Sequence, residues 1–355
     1  MITFRLIISR LRCFAAAVAA SGRRAARTAA AAAALLILNA CADRVPYVTV
    51  DGAMLGTTVH LTARTSLPAG RLYAELMRID TLAKASMSVF DPASLLNRIN
   101  DNTTDSLDEH IAYNIRLAER ISRMSGGRYD ITVKPLVEAW GFIRAEGIDN
   151  PDVDSILAFV GYDKIRIDGG RLTKSDPRVQ IDLNSIAKGY TVDMAARMLE
   201  QHGIGDYIIE IGGEIRCRGV SPRGGDWAVG IDSPVDGNND PGRSLHNRLA
   251  LRDMSMATSG NYRRYHIDAR GNKVAHTIDP RTGRSSLSRL LSVTVMRPEC
   301  AEADALSTML LAMGEHDATE FVRQADTLAV YFIMDDGKGG FETYCSTPVR
   351  RMIMD

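Results

Sequence analysis

The chain lacks an excess of charge of either sign. Lys and Arg together number 43, Asp and Glu together number 43, and the formal net charge of the 355 residues is therefore zero. A general nucleic-acid-binding protein normally carries a basic excess. The composition thus argues against nucleic acid as a partner, while the length allows one large domain or two small ones.

Cysteine is also scarce. The chain has five cysteines, at Cys13, Cys41, Cys217, Cys300 and Cys345. An odd and widely spaced set is not a disulfide framework, and the absence of any C-x-x-C pair argues against a zinc site. Internal repeats and clear linkers are likewise missing, so we expect one α+β domain in which helices and strands are mixed.

No apolar run near the N-terminus is long enough for a permanent membrane span. The run 29–38 is too short for that, and it follows an arginine-rich segment without acidic residues, a pattern typical of a signal peptide. It ends in Leu38-Asn39-Ala40-Cys41, which resembles a bacterial lipobox. We therefore expect a signal peptide over 1–40, lipidation of Cys41, a tether over 41–50 and the functional domain over 51–355. The alternative is an ordinary cleaved signal with an incidental cysteine.

Helical and strand patterns alternate along the rest of the chain. The clearest helix is the stretch 106–127, where Ser106 and Glu109 fit a capping box and apolar residues recur at helical spacing. Further helices are expected over 71–83, 185–203 and 300–314, and strands over 57–63, 179–182, 206–213, 227–232, 290–296 and 328–334. The segment 232–247, rich in Asp, Asn, Gly and Pro, is expected to be a mobile loop.

One motif suggests a serine acyl-enzyme. Ser185-Ile186-Ala187-Lys188 fits the S-x-x-K pattern of penicillin-binding proteins, and 259–261 and 281–283 resemble their S-x-N and K-T-G motifs. In those enzymes S-x-N lies far before K-T-G, which sits on a strand. Here Asn261 and Arg281 are only 20 positions apart, and the second motif lies in a turn sequence. The spacing therefore argues against this class.

Two other groupings point to phosphate and to a metal ion. Asp182 ends a predicted strand and a helix follows, so the free N–H groups and positive dipole of the helix suit a phosphate, with Lys188 one turn further along. Asp304 and Thr308 share a helix face at i,i+4 spacing, and their oxygens suit Mg²⁺ or Ca²⁺. Each grouping also has a structural interpretation, as a helix cap with a solvated lysine or as a surface aspartate with a packed threonine.

Eight motifs follow one another along most of the chain: MLGTTVHL, SVFDPASLLNRIN, GRYDITVKPLVEAWGF, QIDLNSIAKGYTVD, IIEIGGEIRCRG, ATSGNYRRYH, HTIDPRTG and EADALSTMLLAMG. They cover roughly Gly52–Tyr331, and no single one would identify a family. As an ordered set they resemble the ApbE-type FAD:protein FMN transferases. The resemblance implies a single mixed α+β domain of the ApbE or T-fold-like type.

The resemblance also implies an activity and a location. Such enzymes use FAD as a substrate, transfer FMN to a Thr or Ser hydroxyl of a target protein through a phosphoester bond, and release AMP with the help of Mg²⁺ or Ca²⁺. Their targets are exported flavoproteins such as periplasmic-facing subunits of electron-transfer complexes. We expect a periplasm-facing lipoprotein of the cell envelope, held at the inner membrane by its lipid anchor. FAD hydrolysis and non-catalytic flavin binding are the alternatives.

Site residues follow from the resemblance by position. The FAD contacts fall at Met54, Phe90, Arg128, Tyr129, Asp130, Asp182, Lys188 and Ile278. The family often has tyrosine where Phe90 stands, so flavin stacking would survive and a hydroxyl contact would not. The metal falls to the side chains of Asp304 and Thr308 and to the backbone oxygens of Ser185 and Ser307, which makes Ser185 a carbonyl ligand and not a nucleophile. The candidate base that accepts the hydroxyl proton is His276, with Asp279 as second choice.

Overall fold

The computed structural model describes residues 45–143, 151–235, 242, 244–262, 265–267, 271, 273–286 and 288–354. The signal peptide over 1–40 and the lipidation of Cys41 lie outside these residues, so both stay predictions. No helix in the described ranges is both long and apolar enough to cross a membrane. The described secondary structure all falls within one unit, Tyr47–Asp355.

The centre of this unit is an eight-stranded antiparallel sheet. The strands in chain order are β1 (Tyr47–Met54), β2 (Thr57–Arg64), β3 (Ile165–Asp168), β4 (Arg171–Lys174), β5 (Tyr207–Ile211), β6 (Glu214–Arg218), β7 (Trp227–Asp232), β8 (Leu245–Leu251), β9 (Met254–Gly260), β10 (Tyr265–Ile267), β11 (Lys273–Ala275), β12 (Ile278–Asp279), β13 (Arg284–Ser285), β14 (Leu290–Arg297), β15 (Ala329–Asp335) and β16 (Phe341–Cys345). The sheet has the order β1-β2-β5-β6-β9-β14-β15-β16, and the other strands pair as β3-β4, β7-β8, β10-β11 and β12-β13.

Eight α-helices accompany the strands in the described part of the chain, together with a short 3-10 helix, Tyr162–Lys164. The α-helices are α1 (Ala69–Met87), α2 (Leu95–Asn100), α3 (Glu109–Met124), α4 (Lys134–Ala139), α5 (Val153–Leu157), α6 (Ala187–Gln201), α7 (Cys300–Gln324) and α8 (Thr347–Arg350). The helices predicted over 71–83, 106–127, 185–203 and 300–314 are confirmed as α1, α3, α6 and α7. Helix α7 is interrupted at Gly314, where the prediction ended it, because Gly314 has a φ of 77°, but a second helical segment continues to Gln324.

Both faces of the sheet are covered, which explains why most residues of β14 and β15 are buried. Successive side chains of a strand point to opposite faces. In β15, Val330 and Phe332 pack in the core formed with α3 and α7, while Tyr331 and Ile333 pack against the β7-β8 hairpin. The mixed α+β fold and the buried character of these two strands are thus as the sequence predicted.

The capping box predicted at Ser106 is wrong. Helix α3 begins at Glu109, and the Asp108 side chain accepts the hydrogen bond of the Ile111 N–H at 2.8 Å. Ser106 instead forms an isolated β-bridge with Arg171. The N-cap of α3 is therefore Asp108, two positions after Ser106, and aspartate is as good an N-cap as serine.

The strand predicted over 179–182 is also absent. Within this segment Gln180 forms one isolated bridge, to Val133. The buried side chain of Asn100 accepts from the N–H of Ile181 at 2.7 Å and donates to its carbonyl at 2.9 Å. A side-chain amide thus satisfies the backbone groups that a neighbouring strand would otherwise bind.

Two predicted boundaries differ from the structure. Residues 47–50, assigned to the tether, form the first half of β1 and pair with β2. In the predicted loop 232–247, residues 245–247 belong to β8. Residues 236–241 and 243 of that loop lie outside the described residues, so its mobility stays a prediction.

Helices α6 and α7 cross at Gly189. A Cβ atom at this position would lie 2.8 Å from the Cβ of Asp304 and closer still to the carbonyl oxygen of Cys300. One turn further along α6, the Asp193 carboxylate accepts from the N–H groups of Cys300 at 3.0 Å and Ala301 at 2.9 Å, and so caps the N-terminus of α7. The crossing therefore fixes the start of α6 against the first two turns of α7.

Replacing Gly189 with alanine should destabilise the protein, because the added methyl group forces the two helices apart. We expect Gly189→Ala to lower the free energy of unfolding by about 1–3 kcal/mol, measured by urea denaturation. Gly70→Ala in α1 is the matched control, since nothing lies within 4 Å of a Cβ there. It should leave stability unchanged or raise it by at most about 1 kcal/mol. Equal effects of the two substitutions would contradict the tight crossing.

Candidate functional site

A cleft opens beside the N-terminal end of α6, between one face of α7, the end of β9 and the β12-β13 hairpin. Its cavity volume is about 260 Å³. The sequence-predicted residues that line it are Arg128, Tyr129, Asp130, Asp182, Ser185, Lys188, His276, Ile278, Asp304 and Thr308. The fold therefore gathers into one cleft most of the positions that the sequence singled out.

A second cavity of about 720 Å³ adjoins the first. Both cavities are lined by Asn184, Lys188 and Gly212. Phe90 lies on the wall of the second cavity and is 61% exposed, so its ring can stack on a flat ligand. Met54 lines neither cavity, because it is only 1% exposed within the hydrophobic core; its neighbour Leu55 lines the second.

Asp304 is the buried carboxylate of the cleft. It lies with Thr308 on one face of α7, as their spacing predicted, and its Oδ2 accepts from the Gly189 N–H at 3.0 Å. Burial raises the pKa of Asp304 to about 7, and the negative charge of Glu214 adds to this increase. A buried carboxylate with a raised pKa lacks sufficient compensating positive charge.

A serine on β9 holds the hydroxyl groups of α7. The Ser259 Oγ lies 3.0 Å from the Thr308 Oγ1 and 2.8 Å from the Ser307 Oγ. The Ser307 hydroxyl also hydrogen-bonds to the carbonyl of Asp304 at 2.8 Å. Ser307 is buried and does not line the cleft, and its assignment as a backbone ligand stays a prediction. Ser259 belongs to the apparent S-x-N motif but was not predicted as a residue of this site, and it orients Thr308 from β9.

The Ser185 carbonyl is available as a ligand. Ser185 lies two positions before Ala187, the first residue of α6, and in a regular helix the N–H of Gly189 would bond to the Ser185 carbonyl. That N–H instead donates to Asp304. Among the irregular backbone hydrogen bonds of the described residues, none ends on the Ser185 oxygen. This geometry agrees with the expectation that Ser185 offers its carbonyl.

The side chains do not suit an S-x-x-K acyl-enzyme. Such an enzyme needs a base within hydrogen-bond reach of the serine hydroxyl. The Ser185 Oγ lies 2.9 Å from the Tyr129 hydroxyl, whereas the Lys188 Nζ is paired with Glu214 at 2.5 Å. Asn261 of the apparent S-x-N motif donates to the carbonyl of Ser286. The resemblance to that class is therefore confined to the sequence pattern.

Glu214 is a site residue that sequence reasoning missed. It opens β6, is 2% exposed, and its Oε2 has no hydrogen-bond partner in the described structure. Burial opposes the charge on Lys188, but the charges of Glu214 and Asp304 outweigh burial and raise the pKa of Lys188. Burial also raises the pKa of Glu214, an effect that Lys188 partly offsets. The sequence feature that could have indicated Glu214 is its position directly after the Gly-Gly pair in the motif IIEIGGEIRCRG.

Arg128 and Asp130 form the far wall of the cleft. Arg128 makes an ion pair with Asp317. The Oδ1 of Asp130 accepts from both the N–H and the hydroxyl of Thr132 at 2.7 Å. Burial raises the pKa of Asp130 to about 6, and the hydrogen bonds from Thr132 limit the increase. Asp130 is therefore a carboxyl group that titrates close to neutral pH.

The two candidate bases differ in position. His276 lines the cleft, with its ring centroid 6.2 Å from that of Phe142. Asp279 does not line the cleft; it accepts from the N–H of Arg281 at 2.9 Å and pairs with the guanidinium at 3.1 Å. These contacts stabilise the turn that the sequence predicted around 281–283. The geometry therefore favours His276 over Asp279.

Protein oxygens are the candidate metal ligands. No cluster of three or more His, Cys, Asp or Glu side chains suited to a metal occurs in the part of the chain that the structure describes. The candidate donors are the carboxylate of Asp304, the hydroxyl of Thr308 and the carbonyl of Ser185. Such a set suits a hard cation such as Mg²⁺ or Ca²⁺ and does not suit zinc, which prefers nitrogen and sulfur.

Comparisons with known proteins identify the family of the chain. The sequence model of the ApbE family matches residues 55–332, and the chain belongs to this family. It is 35% identical over 331 residues to the FAD:protein FMN transferase of Haemophilus influenzae, covering 89% of this chain and 94% of that protein. It is 34% identical to the FAD:protein FMN transferase of Vibrio cholerae, covering 88% of this chain and 94% of that protein.

Solved structures extend the likeness to the fold. The flavin transferase ApbE from Vibrio cholerae superposes with a TM-score of 0.75 at 30% identity, covering 86% of this chain and 99% of that one. The apo flavinyl transferase ApbE from Pseudomonas stutzeri gives a TM-score of 0.77 at 27% identity, covering 86% and 96%. The fold and the family expected from the eight motifs are thereby confirmed.

The raised pKa of Asp130 predicts a pH-dependent stability. The folded value of about 6 exceeds the ordinary 3.8, so the stabilising contribution of protonated Asp130 is complete below about pH 4 and is lost as pH rises through 6. Asp130→Asn should therefore gain about 1–3 kcal/mol of stability relative to wild type between about pH 4.5 and pH 7.5. Urea denaturation at both pH values measures this difference.

Asp176→Asn is the control for this pH effect. Hydrogen bonding from Arg178 lowers the pKa of the half-buried Asp176 to about 2, below the whole pH window. The stability of Asp176→Asn relative to wild type should therefore not change across the window. A pH-independent difference between Asp130→Asn and wild type would show that Asp130 is ionised throughout.

Proposed function

We propose that this chain is a FAD:protein FMN transferase, which moves FMN from FAD to a Thr or Ser hydroxyl of a target protein and releases AMP. One observation supports the proposal most directly: Lys188 lines both cavities, and Asp304 lines the first of them. FAD has two bulky ends joined by a pyrophosphate, and a positive charge between two cavities suits such a ligand. The names of the relatives support FAD as the substrate.

We propose a divalent cation, Mg²⁺ or Ca²⁺, as part of the site. Asp304, Thr308 and the carbonyl of Ser185 would hold it. The fit is supported by the all-oxygen donor set and by the buried Asp304 carboxylate, whose raised pKa reflects missing positive charge. The cation would neutralise the negative oxygens of the pyrophosphate.

In the proposed transfer, His276 accepts a proton and Lys188 binds phosphate oxygens. The hydroxyl oxygen of the target forms a bond to the FMN phosphorus, and the bond between that phosphorus and the AMP oxygen breaks. AMP leaves with the electron pair of that bond, and His276 accepts the proton of the hydroxyl. Lys188, in the first turn of α6, binds the phosphate oxygens where the positive end of the helix dipole adds to its charge.

The target and the location belong to the same proposal. Exported flavoproteins, such as periplasmic-facing subunits of electron-transfer complexes, would supply the hydroxyl group. Lipidation of Cys41 would hold the enzyme at the periplasmic face of the inner membrane, near such targets. This part is supported by the arginine-rich leader, the short apolar run and the lipobox-like sequence.

Loss of the Asp304 carboxylate should abolish transfer, because the cation would lose its charged ligand. With FAD, Mg²⁺ and an exported flavoprotein, we expect Asp304→Ala to lower the rate by at least about 100-fold, followed by the mass of the modified target. His276→Ala should also reduce the rate strongly. Ser185→Ala is the matched control: alanine keeps the carbonyl, so the rate should stay within about tenfold of wild type.

Three results would contradict this assignment. Normal transfer by Asp304→Ala in excess chelator would exclude the proposed cation site. Free FMN without modified target, across suitable targets, would identify an FAD pyrophosphatase. Collapse of activity in Ser185→Ala, with FAD still bound, would make the serine hydroxyl a catalytic group.

The lipid anchor has its own test. Cys41→Ser should prevent incorporation of labelled palmitate and release the protein from the membrane fraction, because the hydroxyl does not accept the lipid and the acyl chains supply the anchoring. The matched control is Cys217→Ser, which makes the same exchange at a cysteine buried within the folded domain and should leave labelling unchanged. Unchanged palmitate labelling of Cys41→Ser would disprove the lipobox interpretation.

A further inference from the structure

One ammonium group of the cleft, that of Lys188, interacts with two of its buried carboxylates, Glu214 and Asp304. Lys188 pairs with Glu214 through a 2.5 Å contact, and Glu214 and Asp304 are 2% and 4% exposed. The Asp304 carboxylate accepts its hydrogen bond from the backbone of Gly189. The ammonium therefore neutralises Glu214, and the uncompensated negative charge remains at Asp304.

Lys188 is close enough to Asp304 for their charges to interact. Each side chain shifts the pKa of the other, since Lys188 acts against the increase at Asp304 and Asp304 favours the charged form of Lys188. The Lys188 side chain is 37% exposed and has a flexible four-carbon stem. Without a partner at Glu214, its ammonium would move to Asp304, the other buried carboxylate whose charge acts on it.

The Glu214 carboxylate has little other support. Its Oε1 binds Lys188, and its Oε2 has no partner among the described residues. Burying such a carboxylate costs more free energy than burying an amide or an apolar side chain in its place. Packing alone therefore does not explain a charged residue at this position. The one side-chain hydrogen bond of Glu214 in the described structure joins it to Lys188, which points to a role in holding that ammonium group.

We propose that Glu214 is a positioning residue that binds the ammonium of Lys188 and so keeps it from pairing with Asp304. Asp304 then remains available to a divalent cation, and the two other N–H groups of Lys188 remain available to phosphate oxygens. The inference rests on the proposed function for the identity of the cation and the phosphate ligand. It adds a role for a residue that acts on both ligands only through Lys188.

Calorimetric titration with Mn²⁺ in the absence of FAD tests this role without measuring catalysis. We expect Glu214→Gln to weaken Mn²⁺ binding by at least about tenfold, because Lys188 then occupies Asp304. The double variant Glu214→Gln with Lys188→Met should return to within about threefold of wild type, since the competing ammonium is gone. A crystal structure of Glu214→Gln should show Lys188 paired with Asp304.

Glu210→Gln is the matched control for charge alone. Glu210 lies on the neighbouring strand, and its substitution removes the same charge, but its Oε1 accepts from the Gly213 N–H, a bond that glutamine keeps. We expect Mn²⁺ binding by Glu210→Gln to stay within about threefold of wild type. If Glu210→Gln weakened Mn²⁺ binding as much as Glu214→Gln does, the loss of a nearby charge would explain both results. That outcome would overturn the proposed positioning role of Glu214.

Other outcomes also overturn it. Unchanged Mn²⁺ binding by Glu214→Gln would show that Lys188 does not compete for Asp304. Equally weak binding by the single and the double variant would make Glu214 a direct ligand of the cation. FMN transfer by wild type is assayed separately, so a failure of this inference and a failure of the proposed function give different results.

Discussion

The hydrogen bond from the Gly189 N–H to the Asp304 carboxylate, where α6 and α7 cross, is the contact on which the site depends. It requires a glycine, because a side chain at this position would collide with α7. In a regular helix the Gly189 N–H would donate to the Ser185 carbonyl. Because it donates to Asp304 instead, the Ser185 carbonyl has no backbone hydrogen-bond partner among the described residues. One close approach of two helices thus places a carboxylate and an available carbonyl on the same cleft.

The charges of the cleft are organised around that crossing. Asp193 ties α6 to the N-terminus of α7, and Lys188 on the same helix is held by Glu214 from β6. The result is a neutral lysine–glutamate pair beside a carboxylate whose pKa is raised to about 7 by burial. A divalent cation would supply the positive charge that these protein groups lack, and the same cation would neutralise the oxygens of a bound pyrophosphate.

Local patterns in the sequence predicted much of the fold. The apolar residues of β15 and the i,i+4 spacing of Asp304 and Thr308 reflect backbone geometry, and both agree with the structure. The ordered motifs identified the family, which composition and periodicity could not do. The wrong cap at Ser106 arose because Asp108, two positions later, competes for the same role.

The remaining features depend on contacts between distant segments. The pairing of Asn100 with Ile181, which replaces a predicted strand, joins residues 81 positions apart. The partners Lys188 and Glu214 come from a helix and from a strand, and neither local pattern indicates the other. No sequence spacing encodes these contacts, because they exist only once the fold has brought the distant segments together.

The stoichiometry of the reaction with FAD, Mg²⁺ and an exported flavoprotein distinguishes transfer from hydrolysis. We predict one AMP released for each FMN that becomes attached to a Thr or Ser of the target, with attachment located by peptide mass spectrometry. AMP released together with an equal amount of free FMN, and no modified peptide, would exclude transfer as the activity of this chain.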